Sequence, residues 1–428
     1  MTPRALAYTL LQKAEKNDQF LNIALDHALS ESNMSEQDKA LAANIVYGVT
    51  ERRITLDYQI DKLSSRPSSE LDTGVLCALR IGLYQLIFLD RIPPHAAINE
   101  TVSLVSRKTS GFVNAVLRAY TRSSGLSLPS KESDPLLYLS VAHSVCLPLV
   151  KKLVDIYGEE KTESILEAFS MTPPTTLRAN TLKISREELS SKIADSAHTQ
   201  ISPDGILAKG AVRALYGFDE GLFFVQDEAS QICVRALGAM PDETVIDVCS
   251  CPGSKSFGAA IGMKNRGKIY AFDLHAKKLP LISSGAERLG IDIITAAAKD
   301  GREFIPELES CADRVLCDVP CSGFGVLAKK PELRYKDPAV SSSLPDIQLS
   351  ILENACRYVK KGGTLVYSTC TVFPEENEEN VKRFLSTHSE FSLEPICVGS
   401  LYAPKGYVTL LPDEYPTDGF FIARMKRS

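Results

Sequence analysis

The 428-residue sequence contains no tryptophan, and it contains no apolar run long enough to span a bilayer. No C-x-x-C pairs with another C-x-x-C or with H-x-x-x-H, so a structural zinc is not expected, and no metal is. There is no internal repeat and no low-complexity tract. Strong positive charge is also missing. The net charge of -5 excludes a surface that is basic throughout, so any nucleic-acid contact must be a local patch. The first residues, Met1-Thr-Pro-Arg-Ala-Leu-Ala-Tyr8, lack the basic and apolar regions of a signal peptide. A cytoplasmic location without membrane attachment is therefore expected. The 11 cysteines are odd in number and scattered, which in a reducing compartment predicts free thiols, either buried or catalytic.

What is present divides into three stretches. Residues 1–127 read as all-helical. Ser35-Glu-Gln-Asp38 resembles an N-terminal capping box. Leu76, Leu79, Leu83, Leu86 and Ile87 fall on one helical face, and further helices are predicted over Ala96–Val105 and Phe112–Arg122. Ser123–Ser130, rich in Ser, Gly and Pro, reads as a linker. Residues 140–217 read as a small mixed α/β subdomain, with helical periodicity over Leu149–Phe169 and alternation over Thr175–Lys183. Over residues 218–428 short apolar strands alternate with helices: Thr244–Cys249, Lys268–Phe272, Ile291–Ala296, Asp313–Asp318 and Gly363–Thr369. That rhythm predicts a Rossmann-like α/β domain with a mostly parallel sheet. Strands near Tyr407–Leu411 and Gly419–Met425 are too close for a helical crossover and predict an antiparallel edge.

The first of these strands runs into Cys249-Ser-Cys-Pro-Gly-Ser-Lys255. Small residues at the carboxyl end of such a strand let the backbone approach a ligand, and the following helix offers N–H groups to an anion. A phosphate-binding loop of the G-x-x-x-x-G-K type is excluded, because Val248 and Ser254 occupy its positions; G-x-G-x-x-G is absent. A methionine-derived cofactor, with a carboxylate and no phosphates, fits better than a nucleotide; a plain tight turn is the simpler alternative. Asp273 ends the second strand, where an acid takes ribose hydroxyls. Asp300 follows the third and is placed for an adenine amino group, and Asp318 ends the fourth. Any one acid alone is as readily a helix cap.

The fourth strand ends in Asp318-Val-Pro-Cys-Ser-Gly-Phe-Gly325 and the fifth in Ser368-Thr-Cys-Thr371. Adjacent strand ends bring Cys321 and Cys370 together beside the cofactor loop. Two thiols there suit methylation at C5 of a cytosine. That carbon is a poor nucleophile until a thiolate adds at C6. The reaction also needs a base for the C5 proton and a group that hydrogen-bonds N3, a role open to Asp318. Taken singly, either cysteine is more simply one buried thiol among eleven.

Together these segments resemble the NOL1/NOP2/Sun family of RNA cytosine-C5 methyltransferases, over nearly the whole chain. Phe224–Ser230, Asp247–Lys255, Ile269–His275, Asp318–Leu327, Lys330–Tyr335, Ser368–Thr371 with Glu375–Asn377, and Asp418–Arg424 carry the likeness. It implies S-adenosylmethionine as cofactor, held by Cys249, Ser250, Cys251, Pro252, Gly253, Ser254 and Lys255 with Asp273, Asp300 and Asp318. It implies Cys370 as nucleophile, Cys321 as the residue that helps release product, and Asp318 as a further active-site acid. Ala78–Gln85, Pro94–Glu100 and Gly111–Arg118 resemble NusB, an RNA-binding helical domain. That extension points to the bacterial type acting on 16S ribosomal RNA, as a monomer. Arg107, Lys108, Arg118 and Arg122 are placed to contact phosphates, or form a merely solvated face. Ser254 stands where the family usually has glycine, which bears on cofactor affinity. Transfer RNA as substrate, or a non-catalytic RNA-binding assembly factor, are the alternatives.

Overall fold

The structure is a computed structural model and describes every residue except 17–20 and 124. The expected linker Ser123–Ser130 thus lies partly outside the described residues. The chain forms two compact units. One comprises Met1–Leu166 together with Lys330–Asp337, the other Glu167–Lys329 and Pro338–Ser428.

The first unit is helical. Ser35 Oγ accepts from the Asp38 N–H at 3.2 Å and starts the helix Glu36–Glu51 as its sequence predicts. The helix Thr73–Phe88 buries Val75 and all of Cys77–Gln85, so its buried surface is wider than the one-face stripe expected from sequence. A helix apolar on nearly every side becomes the central member of a bundle. The single charge in that run, Arg80, is paired with Asp57 at 2.6 Å and Glu15 at 2.6 Å. The periodicity over Leu149–Phe169 resolves into two helices, Leu147–Tyr157 and Glu159–Ser170. Gly158, at φ +81°, breaks them apart. Arg107, Lys108, Arg118 and Arg122 are all exposed.

Lys330–Tyr335, one of the segments that carry the family likeness, packs with the helices. The Tyr335 hydroxyl donates to the Thr50 carbonyl and accepts from the Arg53 N–H at 3.2 Å. The Arg53 guanidinium lies 3.9 Å from the Tyr335 ring centre, and Arg334 donates to the His143 carbonyl at 3.0 Å.

The second unit holds two main sheets. Four short antiparallel strands run in the order Ala197–His198, Gly205–Ala208, Thr175–Ala179, Phe223–Val225. The larger sheet has eight strands: β1 (Thr244–Asp247), β2 (Lys268–Asp273), β3 (Ile294–Ala298), β4 (Ala312–Asp318), β5 (Val359–Thr369), β6 (Phe391–Leu393), β7 (Tyr407–Leu410) and β8 (Phe420–Arg427). Their order is β3-β2-β1-β4-β5-β8, with β6 and β7 both pairing along the outer side of β8. The pairs from β3 to β5 are parallel, and β8 is antiparallel to β5. This is the Rossmann-like sheet with an antiparallel edge that the sequence predicts. Val245, Ile246, Val315, Leu316, Leu365 and Val366 bury its centre. Each such side chain contributes about 1.5–3 kcal/mol.

One strand differs in position. β3 begins at Ile294, not Ile291. Gly290, at φ +73°, ends the preceding helix, and the Ile291 N–H bonds back to the Ala286 carbonyl at 2.9 Å. Ile291 is therefore the buried apolar residue of a helix terminus, which sequence periodicity does not separate from a strand.

Replacing Tyr335 by Phe leaves the Thr50 carbonyl and the Arg53 N–H without their partner. Hydrogen exchange of the Arg53 amide should rise by about tenfold, with β4 and β5 unaffected. Unchanged exchange there would show that this segment does not brace the helices.

Candidate active site

The expected strand ends meet at the carboxyl edge of the large sheet. In the parallel pairing of β4 with β5, Asp318 lies opposite Ser368. Two loops leave from that point, and they bring Cys321 Sγ within 3.2 Å of Cys370 Sγ. The Cys370 N–H also points at Cys321 Sγ, at 3.2 Å. Both cysteines are partly exposed residues. The hydrogen bond with Cys370, reinforced by burial, pushes the Cys321 thiol well above its ordinary value.

Glycine makes this convergence possible. The Gly325 N–H donates to the Cys370 carbonyl at 2.9 Å, and the Gly419 N–H donates to the Gly325 carbonyl at 2.7 Å. A Cβ on Gly325 would stand 1.9 Å from the Gly419 oxygen. Three backbones thus pack with no room for a side chain. Lys329 fastens the far end of the Cys321 loop, to Asp227 at 2.5 Å and to Asp418 at 2.8 Å.

Asp318 accepts on both oxygens, from Lys255 Nζ at 2.6 Å and from Ser368 Oγ at 2.7 Å. Burial depresses Lys255, but Asp318 and the thiols of Cys233 and Cys370 together raise it, and the net shift is upward. Lys255 also lies 5.2 Å from the Phe420 ring centre, a cation–π distance.

The loop after β1 is shaped around its backbone. Ser250 donates through both N–H and hydroxyl to the Phe272 carbonyl, at 2.7 Å and 2.9 Å. The Cys251–Pro252 peptide is cis, and Gly253 sits at φ +108°, where a Cβ would strike the Phe257 ring at 2.6 Å. No side chain caps the helix Ser254–Gly262 that follows. Its N-terminus is thus available to a carboxylate. Ser254, the departure noted in the sequence, is the first helical residue and is not at positive φ. Its backbone needs no glycine there. Asp273 faces the loop, accepting from the Cys251 N–H at 3.3 Å and the His275 N–H at 2.9 Å. Asp300 follows β3 but is engaged by Arg302 at 2.6 Å, which lowers its pKa. Burial raises the Cys249 thiol well above its usual range; burial with the nearby Asp273 raises Cys251 to about 11. Neither supplies a thiolate at neutral pH.

A family model described as 16S rRNA methyltransferase RsmB/F matches residues 234–426. A protein of Bacillus subtilis named probable ribosomal RNA small subunit methyltransferase B is 37% identical over 99% of this chain and 98% of its own. The chain belongs to the RsmB/F family of rRNA methyltransferases. A relative of the same name from Synechocystis is 35% identical, with both chains covered over 100% of their length. Residues 1–122 match the NusB family and residues 149–213 an RsmF/B-like ferredoxin-like domain. The solved crystal structure of PH0851 superposes with a TM-score of 0.82 at 27% identity, covering 100% of this chain and 99% of that one.

Within this RsmB/F fold, two residues of the site lie in a likeness-bearing segment to which the sequence gives no role. Glu376 and Asn377 are buried directly behind the cysteine loops. Ser322 and Gln348, which bond to Glu376, and Ser368, which bonds to Asp318, carry no role in the sequence reading either. The signal available was a polar Pro-Glu-Glu-Asn turn four residues after Cys370. Nothing in the sequence says that such a turn is buried.

Asp247 ends β1 fully buried and accepts from Ser256 Oγ at 2.6 Å. Burial raises its pKa from 3.8 to about 7. The folded state therefore holds this proton more tightly than the unfolded chain does. The stability this gives is complete below about pH 4 and is lost as pH rises through about 7. Asp247→Asn removes the dependence. Its thermal midpoint should gain on the wild type as pH rises from about 4 to about 8; a constant difference would contradict the assignment.

Proposed function

We propose that this protein methylates C5 of a cytosine in 16S rRNA, with S-adenosylmethionine as donor and Cys370 as the nucleophile that adds at C6. The observation that carries this reading is the 3.2 Å approach of Cys321 and Cys370 beside the Lys255–Asp318 pair.

The residues around the β1 loop fit the cofactor. The uncapped helix Ser254–Gly262 suits its carboxylate, the close backbone at Gly253 admits it, and the Asp273 carboxylate suits its ribose hydroxyls. When bound, S-adenosylmethionine supplies an electrophilic methyl group. Asp300 is a weaker candidate for the adenine amino group while Arg302 holds it.

Everything else is done by the chain and its substrate base. The Cys321 thiol donates to Cys370 Sγ and favours its thiolate. That thiolate bonds to C6, and the ring electrons move towards N3. Asp318 already accepts on both oxygens, so the hydrogen bond to N3 comes from the Lys255–Asp318 pair, whose protons lie on Lys255. C5 then takes the methyl group and loses its proton to a base. The C6–S bond breaks, and Cys321 stabilises the departing Cys370 sulfur. The target base must be unpaired or flipped out for a thiolate to reach C6.

Cys370→Ala should lower 5-methylcytidine formation by more than about a thousandfold and form no adduct. Cys321→Ala should instead leave protein joined to RNA in an SDS-resistant complex. Methylation surviving in Cys370→Ala would overturn the mechanism.

A further inference from the structure

The two cysteines are set by their neighbours, and those neighbours answer to one dipeptide. Glu376 and Asn377 follow Pro374 in the turn after β5 and are 2% and 0% exposed. The Glu376 carboxylate accepts the Ser322 N–H at 2.9 Å, the Ser322 hydroxyl, and Gln348 Nε2 at 2.7 Å. Gln348 Nε2 also donates to the Pro320 carbonyl at 3.0 Å. The residues on either side of Cys321 are therefore held by Glu376 and by the amide that Glu376 anchors. The Tyr367 hydroxyl fixes Glu376 itself, donating to its backbone carbonyl at 2.6 Å.

Asn377 does the same for Cys370. Its Oδ1 accepts the Thr369 hydroxyl at 2.5 Å, and its Nδ2 donates to the Thr371 carbonyl at 3.0 Å. These are the residues immediately before and after Cys370. A buried carboxylate without its donors is costly, so Glu376 has strong reason to keep this geometry. Neither side chain bonds to a cysteine sulfur.

We propose that Glu376 and Asn377 are the positioning residues of the cysteine pair, Glu376 controlling release through the Cys321 loop and Asn377 controlling attack through the Cys370 loop. This rests on the roles assigned above to the two cysteines. A purely structural role would slow both steps together; the proposed one separates them.

The test uses the full-length protein, S-adenosylmethionine and unmodified 16S rRNA under single-turnover conditions. SDS-resistant adduct and 5-methylcytidine are followed in time. Glu376→Gln should form adduct near the wild-type rate and resolve it about tenfold more slowly, so that adduct accumulates. Asn377→Asp, which loses the donor to Thr371, should slow adduct formation about tenfold with no accumulation. Equal slowing of both steps in each variant, or no change in either, overturns the proposal.

Ser322→Ala covers the case in which Glu376→Gln fails to fold. It removes one hydroxyl from a partly exposed residue and should accumulate adduct in the same way; wild-type release would overturn the proposal. A second readout needs neither RNA nor cofactor. Alkylation by iodoacetamide, read by peptide mass spectrometry, should change at Cys321 in Glu376→Gln and at Cys370 in Asn377→Asp. If those selective changes appear while wild type and Cys321→Ala form no adduct, the positioning stands and the assigned chemistry falls. If alkylation changes equally at both cysteines in both variants, the positioning falls.

Discussion

Asp318 lies opposite Ser368 where β4 and β5 run parallel, and the rest of the site follows from that register. The ladder continues one step further, with the Val319 N–H bonded to the Ser368 carbonyl at 3.1 Å. From there the two loops diverge, and the Gly325–Cys370 and Gly419–Gly325 backbone bonds draw them together again. Side chains alternate along a strand, so a slip of one residue would turn Asp318 away from Lys255 and part the sulfurs. The long buried run of β5, from Gly363 to Thr369, makes such a slip expensive in apolar burial.

Around this frame the polar groups divide by position. Lys255 leaves the loop after β1 and meets Asp318 at the end of β4, so one ion pair joins the two halves of the site. Buried ion pairs add little net stability but define geometry well. On the other side of the cysteines, Glu376 and Asn377 satisfy backbone groups of both loops. Cys321 and Cys370 themselves remain partly exposed residues.

Much of this was legible because methyltransfer chemistry places its groups at strand ends. β2 and β4 carry Asp273 and Asp318 at their carboxyl ends, and their apolar runs mark them plainly, whereas Asp247 lies unmarked inside a strand read as running to Cys249. The nearness of Cys321 and Cys370 follows from adjacent strand ends, and their expected roles from the family resemblance. The parts not legible are those where burial contradicts composition. Glu376, Asn377 and Gln348 look like surface residues in sequence, yet each is buried because its partners are backbone groups of the neighbouring loops. Tyr335 lies in a segment that sequence marks only as part of the family likeness, and the helices supply its hydrogen-bond partners and the cation over its ring. Ile291 shows the remaining limit: an apolar residue after a helix reads as a strand until the turn at Gly290 is seen.

The most direct measurement is on the nucleoside produced. Purified protein and S-adenosylmethionine are incubated with unmodified 16S rRNA, and with transfer RNA in parallel. Each RNA is then digested and analysed by mass spectrometry. The account predicts 5-methylcytidine in the ribosomal RNA and none in the transfer RNA. A different methylated nucleoside in the ribosomal RNA would contradict the chemistry, and 5-methylcytidine confined to transfer RNA would contradict the substrate.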